Sequence, residues 1–138
     1  MRIMKRNLVP VLGALLLASA CSVSTAHISS VKLGKDEAVK QESATFAPTD
    51  TIYAVAEIGN AGKTKDKGQL AVVEVAGQTA GPIPGLEKTL DLDSSGSANF
   101  TFSPPAAGWP AGKYKFDVTM MDESGATKGQ QSKEFTVQ

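Results

Sequence analysis

One cysteine, one histidine and one tryptophan stand in a chain of 138 residues. A lone Cys excludes an intramolecular disulfide framework and any Cys-rich zinc site. A lone His argues against a His-based metal cage or a His-dependent catalytic triad. Aromatic residues make up only 6% of the chain, so each one has to be accounted for in the core or at a site. Arginine occurs only at Arg2 and Arg6. Beyond residue 20 the chain keeps 11 Lys against 14 acids, a formal charge of −3. Without Arg, the preferred bidentate partner of phosphate and guanine edges, a weakly acidic domain is a poor nucleic-acid binder. The length suits one domain and excludes a large multi-domain enzyme.

The first segment reads as an address. Arg2, Lys5 and Arg6 form a basic start, followed by the apolar run Leu8 to Ala20, 13 residues long. A helix needs about 20 apolar residues to cross a bilayer, so this run fits the core of a secretory signal peptide instead. It ends in Ala18-Ser19-Ala20 and then Cys21. Ala18-Ser19-Ala20-Cys21 resembles the lipobox of bacterial lipoproteins, with Ala18 where Leu is commonest. That resemblance implies cleavage before Cys21, a diacylglycerol on its thiol and acylation of the new amino group. Ser22 in place of Asp implies sorting to the outer membrane, with the domain facing the periplasm. The expected organisation is a signal peptide over 1–20, an acylated Cys and tether over 21–27, and one domain over 28–138.

Past the tether, alternation of period two replaces any helical period. Tyr114, Phe116, Val118 and Met120 alternate with Lys113, Lys115, Asp117 and Thr119. Ala98, Phe100 and Phe102 share one face of a second segment, and Phe135 and Val137 one face of a third. Strands are expected over 28–33, 51–58, 69–75, 89–92, 98–102, 112–122 and 133–137. Between them lie turn signals: Gly59-Asn60-Ala61-Gly62, a Gly/Pro connection over 77–85, Ser94-Ser95-Gly96 and Glu123-Ser124-Gly125. Residues 34–44 read as a loop with one helical turn at most. Seven short strands at this spacing point to an all-β, seven-stranded antiparallel sandwich of two sheets.

The closing pattern, Gly112 to Val118 followed by an acidic turn and a Phe-x-Val strand, resembles the last two strands of bacterial immunoglobulin-like domains. Tyr114 falls where such domains place a tyrosine corner. Phe46-Ala47-Pro48-Thr49-Asp50-Thr51-Ile52-Tyr53 and Gly108-Trp109-Pro110-Ala111-Gly112-Lys113-Tyr114 resemble a group of small bacterial envelope lipoproteins with an immunoglobulin-like domain. The resemblance implies the fold and the address and leaves the ligand open.

No pattern for catalysis stands out. Gly62-Lys63-Thr64 looks like the end of a phosphate-binding loop, but Glu57 stands where its first Gly belongs and a strand follows instead of a helix; a solvated loop carrying Lys63, Lys65 and Lys67 is expected there. Asp91, Asp93 and Ser95 have the alternate oxygens of a calcium loop, with Phe102 where its bidentate Glu belongs. Met120, Met121 and His27 are the residue types of a copper carrier. Trp109, on a loop, either caps one end of the sandwich or stacks on a sugar ring. Three readings follow. The first is a non-catalytic envelope lipoprotein, anchored to the membrane through Cys21, whose loops or sheet edge meet an envelope protein. The second is a glycan-binding module using Trp109, and the third is a weak metal binder. No cofactor, enzymatic activity or nucleic-acid partner is expected.

Overall fold

Eight strands account for the alternating segments in a computed structural model that describes residues 26–59 and 62–138. They are β1 (His27–Gly34), β2 (Thr45–Phe46), β3 (Ile52–Gly59), β4 (Thr64–Val75), β5 (Gly81–Leu92), β6 (Gly96–Phe102), β7 (Gly112–Met121) and β8 (Thr127–Val137). One sheet has the order β1-β3-β6 and the other β2-β8-β7-β4-β5. Cys21, the signal segment and most of the tether lie outside the described residues.

The core forms where the inward residues of the two sheets meet. Ile52, Ala54, Ala56 and Ile58 from β3 and Ala98, Phe100 and Phe102 from β6 line one layer. Leu70 and Val72 from β4, Tyr114 to Met120 at alternate positions of β7, and Phe135 and Val137 from β8 line the other. All five Phe are buried, as are Tyr114 and Trp109, so the small aromatic content is spent almost wholly inside. Phe116 bridges the layers, with ring centres 5.3 Å from Phe100 and 6.0 Å from Phe102. Aromatic pairs at such spacings add to simple burial.

The architecture is all-β and two-layered, as expected, but the strand count and pairing are corrected. Among the described residues there are eight strands, and β2 runs parallel to β8, so that sheet is mixed. Thr45–Phe46 is too short to show alternation. It exists because Phe46 drops into the core, edge-on to Phe135 at 5.4 Å. Two further expectations change. The Lys-rich segment is strand from Thr64 onward, with Lys65 and Lys67 turned outward against Asp91 and Glu87 of β5, at 3.4 and 3.3 Å. The Gly/Pro connection is already strand from Gly81, since Pro82 and Gly81 pair with Ala71 and Val72. Prolines are tolerated there because β5 is an edge strand with one side unpaired.

Both edges of the three-stranded sheet are capped from the other sheet. Gln131 donates its amide to the Ile28 carbonyl on β1, at 2.6 Å. Lys88 donates to the Thr101 carbonyl on β6 and lies over the Phe102 ring. Occupying edge carbonyls discourages strand addition by another chain.

Candidate functional site

The two strings that carried the family resemblance meet at one end of the sandwich. Gly108 takes φ +84°, a left-handed turn, and a Cβ there would stand 3.1 Å from Pro48. That turn brings the Trp109 amide to the Pro48 carbonyl and its indole Nε1 to the Asp50 carbonyl, both at 2.8 Å. Asp50 is fixed in turn: its Oδ2 accepts from the Ala47 amide at 2.7 Å and lies 3.4 Å from Lys35. The Ala47 amide chiefly holds its carboxyl below the usual range, against the opposing effect of burial and with lesser help from Lys35.

Trp109 is therefore a packed residue, 4% exposed, with its only side-chain donor engaged. Tyr114 is 2% exposed, stacks on Phe135 at 5.4 Å and donates its hydroxyl to the Pro110 carbonyl at 2.5 Å. Burial pushes the phenol upward, which keeps it a donor. Tyr114→Phe should lose about 1–2 kcal/mol, because the Pro110 carbonyl gives up its partner in a dry site. Urea unfolding of the two proteins checks this; equal midpoints would mean that the corner is ornamental.

Beside these aromatics opens an apolar cleft of about 390 Å³. One wall is the Ser103 to Pro110 connection, through Ser103, Pro105 and Pro110. The other is β5, through Ile83, Pro84 and Leu86. Trp109 and Tyr114 form the floor and Gln78 stands on the rim. The β5 wall is built by a bulge. Gln69 pairs with Glu87 and Ala71 with Pro82, so residues 83–86 loop out opposite the single residue Leu70. Gly85 turns at φ +84° behind Pro84, the residue pair suited to a tight turn. Gln69 stitches the bulge, its amide shared between the Ile83 and Leu86 carbonyls at 3.1 Å each and the Leu70 carbonyl at 2.7 Å. Among the described residues no charged side chain lines this cleft.

The remaining candidates are dispersed. Asp91 and Asp93 face solvent, and Asp91 pairs with Lys65. Ser95 lies in the exposed turn beyond them. Among the described residues no three His, Cys, Asp or Glu side chains gather as metal ligands. Met120 is wholly buried in the core, while His27 begins β1 at an exposed position. The outer face of the five-stranded sheet is polar and largely self-neutralised, with Lys115 3.7 Å from Asp117 and Lys67 paired to Glu87.

Sequence reasoning missed one charged residue in the interior. Asp66, read as part of a solvated loop, is 0% exposed. Its Oδ2 accepts from the Thr64 hydroxyl at 2.9 Å, and its Oδ1 has no partner among the described residues. The only available signal was register: Asp66 shares the parity of Gly68, Leu70 and Val72 on β4, so a strand extended backwards from Leu70 turns it inward.

Fold and cleft define a two-sheet β-sandwich with an apolar opening at one end. No family model and no curated protein matches the sequence. Among solved structures the chain is similar to a Niemann-Pick type C2 protein from the Japanese carpenter ant, with a TM-score of 0.50 and 13% identity, over 86% of this chain and 96% of that one. At that identity the likeness bears on fold alone, where it supports a sandwich of the immunoglobulin-like type.

Proposed function

We propose that this chain is a non-catalytic, lipid-anchored module of the bacterial cell envelope. Cys21 holds it to the membrane and the end cleft receives an apolar segment of an envelope protein. The address rests on the lipobox-like Ala18-Ser19-Ala20-Cys21. The observation that carries the interaction is an opposition of ends. β1 starts beside the Lys63–Thr64 and Asp122–Lys128 turns, where Ala26 lines the same shallow pocket. The cleft lies beyond the last residue of β6, at the other end of the strands. Strands of eight residues at about 3.3 Å each put roughly 25 Å between those ends. A chain anchored just before Ala26 therefore turns its cleft away from the bilayer, toward soluble or neighbouring proteins.

The composition of the cleft favours a protein segment over a sugar. Ile83, Pro84, Leu86 and Pro105 offer apolar contact, and Trp109, although it lines the cleft, is too buried to offer a sugar a stacking platform. Binding of this kind draws on a few apolar anchors set into a pocket, with polar groups at the rim.

Two measurements test the reading. Cys21→Ser should move the protein from the membrane to the soluble fraction, and intact mass should show the acyl groups gone; a membrane-bound C21S protein would sink the anchor. A photo-crosslinking residue at Leu86 should give one discrete protein adduct, abolished by Ile83→Asp, whereas the same probe at Lys63 should not. Adducts at position 86 consisting of lipid or glycan would overturn the protein-binding half.

A further inference from the structure

We propose that Asp66 is a pH-operated latch on the edge strand β5: with its carboxyl protonated β5 lies closed against β4, and deprotonation admits water by parting Lys88–Leu92 from it. The geometry starts with the burial of Asp66 and its Oδ1, unpartnered among the described residues. A carboxylate oxygen without a donor in the interior is strongly disfavoured, while a protonated carboxyl needs much less help. The cross-strand neighbours of Asp66 are Leu90 on β5 and Met120 on β7. Neither can donate a hydrogen bond through its side chain.

The charged groups around the site do not relieve it. On β5 the nearest acid, Asp91, opposes ionisation of Asp66. Lys65 and Lys67, on either side of Asp66 in β4, turn outward to Asp91 and Glu87. β7 presents Met120, and its Asp117 is on the outer face with Lys115 and Ser132. On the opposite sheet β3 and β6 turn Ala56 and Ala98 inward, while Glu57 accepts from Ser97 outside. Asp122, in the nearby turn, is occupied by Ser124, Ala126 and Lys128. Burial is accordingly the chief influence on Asp66 and raises its carboxyl above the usual range, against the Thr64 hydroxyl, which lowers it.

Water can reach an ionised Asp66 only if a neighbour moves. β7 is paired on both sides and carries core side chains at every second position. β5 is paired on one side and exposed or half-exposed along its length, so it is the strand that opens at least cost. The sign follows. An opened Asp66 ionises in the ordinary carboxylate range and a closed one at higher pH. Between those values the open form binds fewer protons, so closure weakens as pH rises and is strongest in acid.

The test is carboxyl NMR and amide exchange on the full-length labelled protein, with rates corrected for base catalysis. The Asp66 carboxyl should titrate above the other aspartates. Over the same interval the opening of the Lys88–Leu92 amides should increase about tenfold for each unit by which burial raises the carboxyl. Asp66→Asn should abolish that dependence and leave the β7 amides unchanged. Thr64→Val, which removes the hydroxyl favouring the charged form, should move the titration further upward in the otherwise native chain. An Asp66 that titrates with the surface carboxylates, or β5 opening with the same pH dependence in wild type and D66N, would overturn the latch. Should D66N fail to fold, the wild-type titration and the T64V shift decide it.

Discussion

Phe116→Ala is expected to remove about 3–5 kcal/mol of stability, the range for truncating a fully buried aromatic ring. Phe116 is 0% exposed and stands near the middle of β7, opposite Leu70 on β4. It also joins the two layers through its contacts with Phe100 and Phe102. Those partners are held on β6 by its ladder with β3, so they cannot collapse fully into the vacated volume. A single domain has about 5–15 kcal/mol in total, so the variant should unfold at a much lower urea concentration with an unchanged slope. A loss below about 1 kcal/mol would show that the layers are held together elsewhere.

What was legible in the sequence was whatever alternates. β7 is expected over 112–122 and runs Gly112–Met121, because four inward apolar residues alternating with four polar ones leave one solution for a half-buried strand. Alternation alone did not give the tyrosine corner; the resemblance implied it at Tyr114, whose hydroxyl reaches back four residues to Pro110. Failures came where a local signal contradicts the strand that tertiary contacts impose. Lys-Asp-Lys-Gly has the composition of a loop, yet β5 and β7 pair with it on both sides, and the inward places fall to Asp66 and Gly68. Gly-Pro-Ile-Pro-Gly reads as a connection, yet the edge of a sheet is the place where prolines can stand in a strand. The cleft was illegible for a further reason. It depends on the bulge at 83–86 and on Gln69, whose three carbonyl partners lie partly 14 and 17 residues away, and no local pattern encodes that contact.

Gly68 shows the reverse relation, a residue whose lack of a side chain is the structural requirement. It sits within β4, paired with Lys88 and Val118, with its inward face under two rings. A Cβ there would stand 2.7 and 2.8 Å from Phe100 ring atoms and 2.8 Å from Phe116. These distances fall well inside ordinary carbon contact, about 3.5–4.0 Å, and both rings are already locked against each other. Gly68→Ala should therefore destabilise by about 1–3 kcal/mol, although Ala is usually the better residue in a regular element. Gly62→Ala is the control, since no described residue lies within 4 Å of its Cβ position, and it should leave the urea midpoint near wild type. The decisive variant is the double substitution Gly68→Ala with Phe100→Leu. If overpacking is the cause, shrinking the opposing ring relieves it, and the pair should cost less than the sum of its parts by more than about 0.5 kcal/mol. Strict additivity would mean that Gly68 is kept for its backbone alone.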